Sequence, residues 1–115
     1  MRKKEDKNFL EFIPKRRNNV NWRNREDGNV TLIIERNKLA ERVLAFMFNA
    51  PKTITLDLDR LGSRVWTLCD GEKSIATIGL IIEREFGDEA KPTYERLIKF
   101  IQLLNKNGLI DISSE

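Results

Sequence analysis

The rhythm of apolar and polar residues changes twice along this chain. From Val20 to Arg23 the two kinds alternate, and Val30-Thr31-Leu32-Ile33-Ile34-Glu35 adds a β-branched run, so both segments are predicted as strands. Asp27-Gly28 lies between them and signals a hairpin, because glycine takes the turn conformation without a Cβ penalty. Leu39, Val43, Phe46 and Met47 then recur at helical spacing, predicting a short amphipathic helix over 38–49 that Pro51 ends. Thr53-Ile54-Thr55-Leu56-Asp57-Leu58 alternates strictly and is predicted as a third strand, with Ile54, Leu56 and Leu58 on one face.

Beyond residue 58 the period becomes helical. Asp59 is placed to cap a helix carrying Leu61, Val65, Trp66 and Leu68, which Asp70-Gly71 stops. Ser74 is placed to cap a second helix with Ile75, Ile78, Ile82 and Phe86 inward, ending at Gly87. Pro92 opens a third helix, rich in Leu, Ile and Phe, that runs to Gly108, and Leu109–Ile112 reads as a short extended tail. The predicted class is α+β and winged helix-turn-helix-like. It comprises an N-terminal three-stranded antiparallel sheet followed by a three-helix unit, with an extra short helix before the third strand.

Charge refines this picture. Nine of the first 25 residues are Lys or Arg against three acids, whereas the rest of the chain holds 12 basic and 15 acidic side chains. Residues 1–18 are therefore expected to be a flexible basic arm, and residues 19–115 the folded domain. With no histidine, imidazole-based triads and metal sites are excluded, and the single Cys69, set among Val65, Trp66 and Leu68, reads as a buried, inert thiol. No phosphate loop, cysteine cluster or paired-carboxylate motif is present, so neither an enzyme nor a cofactor is expected. The apolar runs are too short for a membrane span, and a lone cysteine suits a reducing compartment, so a cytoplasmic location is expected.

One ordered series carries a resemblance. It runs Leu58-Asp59-Arg60-Leu61-Gly62-Ser63-Arg64-Val65-Trp66, Asp70-Gly71, Ser74-Ile75 and Ile78. It continues through Phe86-Gly87, Tyr94-Glu95-Arg96-Leu97, Phe100-Ile101, Leu104 and Gly108-Leu109-Ile110. This series, over roughly residues 53–112, resembles the PqqD family. The resemblance implies a RiPP recognition element, a non-catalytic winged-helix module that binds the leader segment of a ribosomally synthesised precursor peptide. The leader would add as a strand beside the third strand, in a groove walled by the third helix. The module would then present it to a modifying enzyme, a radical SAM (S-adenosylmethionine) enzyme. Carried onto this sequence, the peptide-binding residues are Ile54, Thr55, Leu56 and Asp57 from the strand and Tyr94, Leu97, Ile98 and Ile101 from the helix. Lys91 or Arg96 would meet an acidic leader residue.

The residues themselves are compatible with that role. Residues 53–58 contain no proline or glycine to spoil a pairing edge. At about 100° per residue, the apolar positions from Tyr94 to Leu104 span roughly 220°, more than one-sided packing needs. Two other readings compete. A homodimer would use the same sheet edge. A winged-helix DNA-binding regulator would need a cationic recognition helix, and neither of the last two helices has one, which argues against nucleic acid as the partner.

Overall fold

The computed structural model describes residues 9–35 and 53–114. The helix expected over 38–49 and the first eight residues of the expected arm lie outside the described residues. The expected hairpin and third strand form one antiparallel sheet of β2 (Asn21–Asn24), β3 (Val30–Glu35) and β4 (Thr53–Asp57), in that order. Its register sets Trp22 opposite Leu32 and Leu32 opposite Leu56. Those three residues therefore share the face that meets the helices, where Leu32 is fully buried and Trp22 meets the edge of Trp66.

Three helices follow among the described residues: α1 (Arg60–Leu68), α2 (Ile75–Phe86) and α3 (Thr93–Lys106), with a 3-10 turn over Gly87–Ala90. The sequence signals for their starts act as expected. Asp59 Oδ1 accepts from the Gly62 N–H at 2.8 Å, and Ser74 Oγ accepts from the Thr77 N–H at 3.1 Å. Gly71, with φ of +84°, turns the chain between α1 and α2. Trp66, Ile75, Ile78, Ile101 and Leu104 pack with Val30 and Leu32 as the core. At the α2–α3 crossing, Gly79 lets Tyr94 lie flush on α2, with the Tyr94 hydroxyl donating to the Ala76 carbonyl at 3.0 Å. No helix among the described residues is long and apolar enough to cross a membrane.

The winged helix-turn-helix expectation of a single sheet with an extended tail is corrected. The described residues form two sheets, of three and of two strands. In the second sheet β1 (Ile13–Arg16), from within the expected arm, pairs antiparallel with β5 (Ile110–Ser113), from the expected tail. Pro14 and the run Lys15-Arg16-Arg17 hide β1 from local patterning, and its partner lies about a hundred residues away, beyond any sequence window. Pro14 is tolerated because its missing N–H is not needed here, while its carbonyl accepts from the Gly71 N–H at 3.0 Å.

The basic residues near β1 are likewise structural. Arg16 donates to the carbonyls of Trp66, Thr67 and Cys69 at 2.9–3.1 Å, satisfying the C-terminal end of α1, and stacks over Trp22. Just upstream, the carbonyls of Phe12 and Leu10 accept from the Ile75 and Ala76 N–H groups and so close the N-terminus of α2.

Candidate functional site

The candidate site forms where β4 runs into α1. At this junction Leu58 N–H donates to the Val30 carbonyl at 2.8 Å, while the Val30 N–H turns instead to Ser63 Oγ at 2.8 Å. Ser63 in turn donates to the Leu58 carbonyl, and Arg25 donates to the carbonyls of Val30 and Leu58, so the strand end is fixed from both sides. Because residues 58 and 30 face each other through their backbone groups, alternation along an antiparallel ladder assigns the same role to 56 and 54. Thr55 and Asp57 then turn their N–H and C=O groups away from β3. Among the described residues no strand pairs with that side of β4.

The two margins of this sheet differ in chemistry. β2 reads Asn-Trp-Arg-Asn, with polar side chains of the kind that guard an edge. β4 instead leaves Ile54 at 45% and Leu56 at 42% exposure, on the same face as the buried Leu32. The apolar face of the sheet thus continues past the point where the helices cover it.

A cavity of about 370 Å³ opens at the end of β4. Asp57, Leu58 and Asp59 form one wall, and Leu61, Gly62 and Val65 of α1 another. Ile82 and Ala90 also line it, together with Thr93, Arg96, Leu97 and Phe100 of α3. A Cβ at Gly62 would crowd the capping Asp59 Oδ1 at 3.1 Å and sit in ordinary contact with the Phe100 ring at 3.5 Å. Asp59 is engaged as the α1 cap, and Asp57 accepts from Thr31 Oγ1 at 2.7 Å with Arg25 3.7 Å away.

Of the residues expected to bind, Asp57 and Leu97 meet at this cavity. Ile54, Thr55 and Leu56 are exposed along the adjoining edge. Tyr94 packs on Gly79, Ile101 is fully buried in the core, and Ile98 is half-buried, and none of these three lines the cavity. Phase explains the division. At about 100° per residue, Arg96, Phe100 and Leu103 lie to one side of Leu97, while Tyr94 and Ile98 lie to the other. The strand-facing flank includes Phe100 and leads on to Leu103, which is 55% exposed. Hydrophobicity alone cannot tell the flanks apart; the charge of Arg96 was the available signal.

Outside the cavity the titratable groups of Cys69 and Glu85 are clearly shifted by their surroundings. Burial pushes the Cys69 thiol up to about 12, and the Arg64 guanidinium holds the Glu85 carboxyl below its ordinary value. Among the described residues no group of three His, Cys, Asp or Glu side chains is arranged to hold a metal ion.

The model of one protein family, coenzyme PQQ synthesis protein D (PqqD), matches residues 45–110. No curated protein and no solved structure matches the chain. The family match spans more than half of the sequence and takes in β4, all three helices and every residue lining the cavity. The chain belongs to the PqqD family.

Proposed function

We propose that this member of the PqqD family is a non-catalytic peptide-binding protein of the cytoplasm. It takes up the leader segment of a ribosomally synthesised precursor as an extra strand along β4, and presents it to a modifying enzyme, a radical S-adenosylmethionine enzyme. The observation that carries this reading is the margin of β4. Outward-turned backbone groups at Thr55 and Asp57 lie beside exposed Ile54 and Leu56 and run directly to an apolar cavity. Strand addition needs both parts: backbone groups for pairing and pockets for alternate side chains. The peptide-binding set is Ile54, Thr55, Leu56, Asp57 and Leu97, with Arg96 and Phe100 joining from the strand-facing flank of α3.

Charge favours a peptide over DNA. Arg64 makes a two-pronged contact with Glu85 at 2.7 and 2.8 Å, and Arg60 reaches Glu89 at 2.7 Å, so the cations of α1 are already matched. A duplex would have to compete with those carboxylates for each contact.

Calorimetric titration of the full chain with synthetic leader segments of ribosomally synthesised precursor peptides tests the reading. Binding is expected at about 1 μM or tighter, as for a small standard interface. Leu56→Asp is expected to weaken it by about tenfold or more, and Glu83→Arg, on the outer face of α2, to leave it unchanged. No binding at about 100 μM, or equal loss in both variants, would overturn the reading. Sedimentation at several concentrations reports whether a second copy occupies the same edge instead.

A further inference from the structure

We infer that the hollow between β1 and β2 is a second binding site, built around Arg16, for a carboxylate-bearing segment of a protein partner. It is independent of the strand-addition reading, because β2 and β4 are opposite margins of the three-stranded sheet. The hollow, of about 250 Å³, is bounded by β1, Trp22 of β2 and the turn after α1, and it shares no residue with the cavity at β4. Its centre is a guanidinium that the fold holds still. Arg16 Nη1 alone makes the bonds to the carbonyls of Trp66, Thr67 and Cys69, and the group lies 5.5 Å from the centroid of the Trp22 ring. Nε and Nη2, the edge that pairs side-on with a carboxylate, have no partner among the described residues. Because the side chain is already immobilised, an incoming carboxylate gains charge-assisted bonds without the cost of ordering it.

The surrounding charges leave a positive surplus. Asp70, also lining the hollow, pairs with Lys73, whose hydrogen bond holds the Asp70 carboxyl below its ordinary value. Asp111 stands opposite Lys15 in the ladder, but its carboxylate is committed to Arg17 at 3.0 Å. Lys15 is exposed, rests its stem along Gly71 and has no carboxylate partner among the described residues. Lys15 and Arg16 are thus the unmatched charges, and both line the hollow. Such a pair, bordered by Asp70 and Asp111, suits one or two acidic side chains of a polypeptide. The repeated phosphates of a nucleic acid would run onto those two carboxylates.

The test is an NMR titration of the isotope-labelled full chain with a synthetic twelve-residue peptide carrying a Glu-Glu pair in a Gly/Ser background. The Arg16 Nε–H and the amides of Lys15 and Asn18 are expected to shift, and those of Thr55 and Leu56 to stay. The same peptide with Gln-Gln should leave Arg16 unmoved. Lys15→Glu, at an exposed side chain, is expected to weaken binding about tenfold. Arg16→Lys keeps the charge but removes the fork, and should weaken it to a similar degree. Thermal melts check both folds, and Lys15→Glu carries the test alone if Arg16→Lys unfolds for want of its carbonyl bonds. An Arg16 Nε–H that does not move, or undiminished binding by Lys15→Glu, overturns the inference. So does tighter binding of a single-stranded oligonucleotide of equal charge. Shifts confined to residues 1–8, where Arg2, Lys3, Lys4 and Lys7 would attract any polyanion, overturn it as well. Strand addition stands or falls separately, on leader binding by Leu56→Asp.

Discussion

Two small side chains set the geometry of this fold at the residue scale. Ser63 supplies the partner that the Val30 N–H lacks at the end of the ladder. Ser63→Ala is expected to cost about 1–3 kcal/mol in chemical denaturation, because a buried donor is then left unbonded. Gly79 is the floor on which the Tyr94 ring rests, and a methyl group there would overlap the ring. Gly79→Ala is expected to destabilise by a similar amount, about 1–3 kcal/mol, through overpacking. The sequence announces residues that act on their near neighbours: Asp59 and Ser74 are legible as caps because each bonds three positions ahead. Ser63 is not legible, since Val30 lies 33 residues away, and nothing in a local pattern marks a serine as a splice between helix and sheet.

At the scale of elements, β4 was readable from its strict alternation and β1 was not. An alternating run announces a half-covered strand whatever its partners are. β1 offers only four residues, one of them Pro14, and its pairing is decided by β5 at the far end of the chain. The third helix was legible as a helix, but only its packing separates the flank of Phe100 from that of Ile98. The alternation of outward and inward backbone groups along β4 gives a sharp contrast between adjacent positions. Thr55→Pro removes an N–H that points away from β3, so the melting temperature should hardly change while peptide affinity falls by about tenfold or more. Leu56→Pro removes an N–H that faces β3 and should lower the melting temperature clearly. Paired melting curves and titrations of the two variants check this, and the reverse ranking would refute the assignment of the ladder.

Across the whole molecule, stability should depend on pH most visibly on the alkaline side. The Cys69 thiol rises from 9.0 to about 12 in the fold, first through burial, with Asp70 adding to it against Arg16. A group whose value is raised by folding stabilises fully below its unfolded value and loses that share as pH climbs through the folded one. Stability should thus fall between about pH 9 and 12, by at most about 1.4 kcal/mol per pH unit from this thiol. Tyr94, raised by burial and by Glu83, adds to the decline. Cys69→Ala should flatten the slope in melts taken from pH 8 upward. The two-stranded ribbon has a consequence of another kind. Ile13 is among the first described residues to leave the ribosome, yet its opposite number is Ser113. Residues 13–16 therefore stay unpaired on that side until residues 110–113 have been made, so this ribbon cannot close before the intervening sheet and helices have been synthesised.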